Sequence, residues 1–550
     1  MAETRRQNTN AFVKQAAILA AAGILVRILG FIYKLPLTDL IGDEGNAIYG
    51  IGYNVYNLFL VISSAGLPAA ISKMVSEKRA IGRPDLAHRI FVISAGLAAS
   101  VGAIFMIVIF VFSRQITEIL GTPMAFLALQ TLAPTVFIVA IMAVIRGYFQ
   151  GMSSAVPTAV SQVVEQLFNA IFSIVLAHTM WGFALRHGHA AAMYGAAGGT
   201  AGTSVGALAG FIVVAGLYFL ARPDILRGVG RGKSRARPYE RFTTERTGEV
   251  AAKVVLTSFT IIAGTAIFSI ANLIDSWLVV DRLGAAGLSD VRARELFGQL
   301  AAKFNPLTNL PAAISSSLAI ALVPAIAAAK AVGDHARVSL NLNTALRAAM
   351  LLTFPIAFGF GVLGVPIIYL LFPNHPEGGT LLMWGFPSII LLAISQIATG
   401  VLQAIGKYKI PIFAALVGAV TKLIVGFFLV AHPAINIYGA ILGTTLMFLI
   451  TAVINCAFVC KFTGARPDFK SIALKPGLAA TGMAMGCYVL YYMIYFFSES
   501  NALSTIGAIF AGMVLYGVFM LLLRGLTESD IKILPKGKKI AAFLRRKGLL

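Results

Sequence analysis

Residues 11–34 read AFVKQAAILAAAGILVRILGFIYK, an apolar run longer than the roughly 20 residues one helix needs to cross a bilayer. Arg27 lies inside it. An arginine at a membrane helix centre costs about 2.5–3.5 kcal/mol on insertion scales, so such a side chain faces a polar partner or a water-filled cavity. The run is too long for the apolar part of a cleaved leader and continues into Lys34 without a small-residue cleavage site.

The same pattern recurs along all 550 residues. With 58% hydrophobic and 12% charged residues and a mean hydropathy of +0.85, the chain is far more apolar than a soluble protein, whose charged fraction is about 25%. It reads as an all-α polytopic membrane protein with about fourteen spans: 11–33, 48–72, 90–112, 124–146, 157–181, 193–220, 254–280, 299–328, 342–371, 381–405, 410–431, 435–460, 473–496 and 503–523.

The net charge of +22 invites a nucleic-acid partner. Its distribution removes the need for one. With the N-terminus inside, the cytoplasmic segments and inner span ends hold 35 of the 44 Lys and Arg residues, while the outer loops hold six: Lys34, Arg114, Arg186, Arg282, Arg292 and Arg294. Only Arg27, Lys303 and Lys422 remain within spans. Such a bias places the chain in a cytoplasmic membrane with both termini cytoplasmic. The longest inner loop, 222–253, carries nine basic residues among glycine, serine and proline and reads as a linker attracted to anionic lipid.

The segments either side of that loop resemble one another. Pro68 and Pro324 lie 256 residues apart, Gln150 and Gln403 253 apart, and Pro157 and Pro411 254 apart. A duplication follows, with an N-terminal lobe at 1–221 (six spans), a basic linker at 222–253, a C-terminal lobe at 254–465 (six spans), and spans 13 and 14 with a basic tail at 466–550. Six spans per copy is even, so the lobes run the same way and relate by a pseudo-twofold axis along the membrane normal. That is a parallel-repeat transporter architecture, with the substrate path between lobes.

Gly198, Gly202, Gly206 and Gly210 stand four apart in GGTAGTSVGALAG. No Lys-Ser/Thr follows at phosphate-loop spacing, so the expectation is a close helix-packing face. Cys456, Cys460 and Cys487 all lie in apolar runs and offer neither a disulfide framework nor metal spacing. Seven scattered histidines, with no nucleophile–base order and no paired catalytic carboxylates, give no basis for an enzyme, a metal site or a cofactor.

Function is sought in the charges within spans. Arg27 and Glu165 in the first lobe, and Asp275 and Lys422 in the second, suggest an Arg27–Glu165 interaction and an Asp275–Lys422 ion pair of reversed sign. An offset of 245 sets Arg27 against Asn272, one turn from Asp275. Gln162, Glu165, Gln166 and Asn169 form a polar stripe at helical spacing. Lys303, beside Asn305, offers a second positive point for an anionic headgroup, or else snorkels. Arg146 and Gln150 stand where span 4 reaches the cytoplasm, placed to snorkel or to meet a substrate entering from inside.

RILGFIYKLPLTDLIGDEG, LPAAISKMVSEK, RGYFQGMSSAVPTAVSQVVEQ, NLIDSWLV and NPLTNLPAAISSSLAIALVPAIA together resemble the stage V sporulation protein B branch of the MATE-like (MOP) polysaccharide exporters and lipid II flippases, which include MurJ. The resemblance covers about residues 10–465. It implies alternating access that moves a lipid-linked cell-wall precursor, lipid II foremost, from inner to outer leaflet, with Arg27 engaging its pyrophosphate. Another undecaprenyl-linked glycan, or a role confined to spore cortex, is the neighbouring reading. Cell-wall synthases are implied as possible partners, and a non-transporting scaffold for them is the alternative of another class. A cationic-drug antiporter is disfavoured by Arg27 and Lys303. The family's basic–acidic pair in span 1 is replaced here by Tyr33 and Lys34, and its span-2 arginine position falls in apolar VISS. Asp275 matches a carboxylate that helps bind sodium in some relatives. Near the matching span-11 carboxylate this chain has Lys422, so the expectation is drive by membrane potential rather than a sodium site.

Overall fold

The computed structural model describes residues 2–235, 247–331, 333–465 and 467–526. The centre of the basic loop (236–246) and the basic tail (527–550) lie outside the described residues. The described chain is nearly all helical, as expected where a lipid environment leaves backbone polar groups no partner but their own helix. In chain order the helices are α1 (Ala2–Leu60), α2 (Leu67–Ala80), α3 (Pro84–Ile119), α4 (Phe126–Gly151), α5 (Val156–Arg186), α6 (Ala191–Arg235), α7 (Thr247–Ala285), α8 (Asp290–Gly298), α9 (Asn305–Ala331), α10 (His335–Leu371), α11 (Gly379–Ala404), α12 (Lys409–Val430), α13 (Tyr438–Thr463), α14 (Lys475–Ser498) and α15 (Asn501–Leu522). Every expected span falls on one of these helices or on the π-helical turn that joins it. Phe110, Leu220, Phe428 and Phe496 are 54%, 78%, 67% and 80% exposed, a lipid-facing exterior that water would not tolerate. The chain is a multi-pass membrane protein.

α1 holds two spans. They meet at Gly42, whose φ of +66° and ψ of 178° break the helix where a side chain would be strained. Asn46 Nδ2 stitches the break, donating to the carbonyls of Thr38 (2.8 Å) and Gly42 (2.7 Å). The first span therefore runs on past Lys34, which the sequence placed in an outer loop.

Two compact units make up the chain, residues 1–277 and 278–550. The division falls inside α7, after Trp277, rather than at the 222–253 loop. Val250 and Val254 of α7 join Ile71, Phe91, Met142 and Val144 in the first unit's core, and Ser276 Oγ accepts from Asn54 Nδ2 at 2.8 Å.

Within the first unit α2 packs on α3 and α4, α3 on α4, and α6 on both α4 and α5. Within the second, α9 packs on α10 and α11, α10 on α11, and α13 on both α11 and α12. The packing among α2–α6 is thus repeated among α9–α13. α14 and α15 add to the second unit by packing on α10, with Cys487 buried among Leu363, Ile367, Met483 and Ala508.

The glycine stripe of α6 is the face that meets α5. A Cβ on Gly206 would lie 2.6 Å from the Glu165 carbonyl oxygen, and one on Gly210 would lie 2.9 Å from Glu165 Cβ. Small residues bring the two backbones together, and the contact fixes the rotation of α5 and hence the aim of Glu165.

Candidate anion site in the first unit

The polar stripe of α5 is turned towards protein. Asn169, 9% exposed, donates through Nδ2 to the Tyr33 hydroxyl at 3.3 Å, and its Oδ1 accepts from Ser173 (2.8 Å) and Thr203 (3.3 Å). Gln166 lies against Gly30 of α1, where a Cβ would stand 3.3 Å from its amide nitrogen. Glu165 Oε2 accepts from Arg146 Nη2 of α4 at 2.8 Å, while Arg146 Nε donates to Ser161 Oγ at 2.9 Å.

That pairing revises two expectations. The Arg146 side chain is only 12% exposed, so it does not snorkel. Glu165 is engaged by Arg146, and no Arg27–Glu165 bond is made among the described residues. The cause is local: α4 and α5 are joined by four residues, and Gln150 Nε2 ties the turn by donating to Thr158 Oγ1 at 3.3 Å. Charges at similar depth on such a hairpin find each other first.

Arg27 is left with an exposed side chain, one turn from Gly30, and makes no hydrogen bond or ion pair among the described residues. Seven residues on, Lys34 is half-buried and likewise makes neither. Its Nζ stands 5.6 Å from the centroid of the Tyr49 ring. Tyr49 stacks on Tyr53 with centroids 5.8 Å apart and shares a hydrogen bond with Tyr33, and Tyr56 follows at 5.5 Å. Lys34, Tyr33 and the Tyr49, Tyr53 and Tyr56 rings of α1 thus gather beside the Asn169 amide of α5. An anion with hydrogen-bonding neighbours matches that chemistry; a cation does not.

Lys303 is placed elsewhere. Its side chain is fully buried, and Nζ donates to the carbonyl oxygens of His375 (2.8 Å) and Glu377 (3.0 Å) beneath the Phe372 ring. The π-helical turn Gln299–Phe304 carries it inward. It neither snorkels nor offers a second positive point to a cavity; it pins the 372–378 loop. The same loop is held by Arg292, whose guanidinium donates to Glu295 (2.8 Å) and Glu377 (3.1 Å), and those carboxylates raise its pKa above the ordinary arginine value. Lys303→Met would remove two hydrogen bonds from a buried ammonium to part-buried carbonyls, each charge-assisted bond worth about 1.5–3 kcal/mol. The expected result is a clearly lower thermal unfolding midpoint by size-exclusion recovery, with transport per folded molecule within about threefold of wild type.

Of the remaining candidates, Asn305 is exposed on the first turn of α9. Asn272 is exposed on α7, its carbonyl accepting from Ser276 at 3.0 Å. Asp275 and Lys422 are half-buried and each is engaged by a partner.

Over residues 12–330 the sequence matches the family described as polysaccharide biosynthesis protein. The chain belongs to the polysaccharide biosynthesis protein family. This family member is 25% identical over 531 residues to the Stage V sporulation protein B of Bacillus subtilis (strain 168), covering 95% of this chain and 98% of the relative. It is also 25% identical over 469 residues to the Lipid II flippase MurJ of the same organism, covering 81% and 82% of the two chains. The solved structure of a Lipid II flippase MurJ in an inward closed conformation shares the fold with a TM-score of 0.66 at 16% identity, covering 92% of this chain and 99% of its own length. The resemblance drawn from the sequence motifs is to this same family.

Lys34 and Tyr49 stand beside the candidate site, and sequence reasoning did not single them out. Lys34 ends an apolar run and so reads as a loop charge. The usable signal is its spacing, seven residues from Arg27, which returns to the same side of a helix.

Proposed function

We propose that this protein moves a lipid-linked saccharide diphosphate across the cytoplasmic membrane, with lipid II the leading cargo and Arg27 the first ligand of the diphosphate. One observation carries this: an exposed arginine without a protein partner among the described residues, set inside an apolar span. Lipid cannot be its environment at acceptable cost, so the side chain requires water and an anion. Its planar fork suits phosphate, donating two parallel charge-assisted hydrogen bonds. The likeness to a relative named as a lipid II flippase supports a lipid-linked cargo. The chain acts as a translocator and not as an enzyme, with both termini cytoplasmic as the 35-to-six charge bias supports.

The fixed Arg146–Glu165 pair keeps Arg27 available for cargo. Asp275 of α7 and Lys422 of α12, each engaged by a partner, keep the coupling role that the sequence suggests for them, and the membrane potential supplies about 2.3 kcal/mol per charge per 100 mV. Cell-wall synthases are the partners that would use the delivered precursor, and the basic loop and tail would hold anionic lipid.

The test is competition in liposomes. Purified protein should translocate labelled lipid II, and unlabelled lipid II should inhibit at least tenfold better than an undecaprenyl diphosphate bearing an unrelated glycan. Equal inhibition would widen the cargo to any undecaprenyl-linked glycan, and no translocation of either would favour the scaffold reading.

A further inference from the structure

The second unit carries a cavity of about 580 Å³ where α10 ends and α14 turns into α15. The charge bias sets this end on the outer side of the membrane. Tyr369, Tyr491 and Tyr495 line the cavity together with Glu499, its one charged lining residue among the described residues. We infer that it binds the ammonium of a membrane lipid headgroup, of the phosphatidylethanolamine kind, and so pins a lipid to the outer ends of these three helices.

The ends of the helices make the cavity negative. α10 and α14 both finish here, so the free carbonyls of two helix C-termini, each the negative end of a macrodipole, converge on it. Neither helix has a basic residue in its last turn. The N-terminus of α15, of opposite sign, is closed by Ser500, whose Oγ accepts from the Leu503 amide at 3.4 Å. Glu499 adds a full charge: it is exposed, and its side chain makes no ion pair or hydrogen bond among the described residues. Its placement is costly twice over. It takes the left-handed position that ends α14, at φ +50° and ψ 12°, where glycine is the usual residue, and the C-terminal dipole beside it opposes a carboxylate. A cation in the cavity relieves the second cost.

The walls decide which cation. Tyrosine faces attract an ammonium without a ligand bond, and Val365 and Leu370 beside them suit its methylene groups. A calcium ion would want about six oxygens or more, and the cavity has a single carboxylate. The rings are held in advance. Tyr491 stacks on Tyr495 with centroids 5.9 Å apart and donates its hydroxyl to Asn501 Oδ1 at 2.9 Å, while Asn501 Nδ2 donates to the Pro366 carbonyl at 3.1 Å. Those bonds join all three helices. Phe496 and Phe497 lie between Tyr495 and Glu499 and are strongly exposed, so the cavity borders the bilayer and an amine tethered to acyl chains reaches it from there.

Native mass spectrometry of the detergent-purified full chain tests this, with dioleoyl phosphatidylethanolamine set against its N-acetyl derivative, which keeps the phosphate and both tails and loses the cation. Wild type should bind the amine lipid at least about tenfold more tightly, the value of one charge-assisted contact. Glu499→Gln should abolish that preference and leave N-acetyl lipid binding within about threefold of wild type; the change strands no partner. Tyr369→Leu should weaken amine lipid binding about fivefold and Tyr369→Phe less than about twofold, since the ring face does the attracting. In the unmodified protein the amine lipid should shield Glu499 from carbodiimide labelling, read by peptide mass spectrometry, and free ethanolamine at the same concentration should not. Equal binding of the two lipids by wild type, an undiminished preference in Glu499→Gln, or unshielded Glu499 overturns the inference. Shielding by free ethanolamine as strong as by the lipid overturns the assignment to a lipid.

Discussion

Arg27→Ala is expected to lower lipid II translocation at least about 100-fold in reconstituted protein, with unfolding behaviour close to wild type. The size follows from losing two charge-assisted hydrogen bonds of about 1.5–3 kcal/mol each, since 1.4 kcal/mol is a factor of ten. The sparing of stability follows from the site: Arg27 is exposed and bonds to no other described residue, so its removal strands no partner. Arg27→Lys should recover part of the rate only, because an ammonium keeps the charge and loses the fork. Measuring unfolding alongside flux separates this outcome from a structural role, in which both would fall together.

Arg146→Met should be damaging in a different way. Glu165 would lose its 2.8 Å partner, and with the two side chains 12% and 29% exposed the cost falls below the about 3–5 kcal/mol of a fully buried pair. α1 packs on α5 and Arg27 bonds to no other described residue, so Arg27 is the cation left open to the freed carboxylate. That carboxylate should turn to Arg27 and neutralise the anion site. Stability and diphosphate binding are therefore both expected to fall in Arg146→Met. Glu165→Gln should weaken diphosphate binding far less, since it removes the competing anion. The double variant should recover much of the binding lost in Arg146→Met. A thermal melt and a farnesyl diphosphate titration on all three proteins check this; additive losses in the double variant would separate the ion pair from the Arg27 site.

The spans were legible because a 20-residue apolar run in this setting has few alternatives to a helix. Periodicity carried the next level. The four glycines of α6 and the amide–carboxylate stripe of α5 both recur at helical spacing, and each marks a face that the structure turns to protein. Partners across space were not legible. Glu165 could be matched by sign to Arg27 or to Arg146, and only the four-residue connection between α4 and α5 decides for Arg146. Lys303 looked like a cavity charge because the carbonyls that hold it belong to His375 and Glu377, more than 70 residues away. Lys34 was lost to a boundary. Hydropathy ends the first span at Tyr33, whereas the helix continues until Gly42 changes the backbone.

The most direct test of the account is flux of fluorescently labelled lipid II in liposomes containing wild-type protein or Arg27→Ala, at equal amounts of folded protein, with and without an imposed membrane potential. Wild-type flux should rise with the potential, and Arg27→Ala should lose about 100-fold or more of it. Equal flux by the two proteins would contradict this and remove Arg27 from the mechanism.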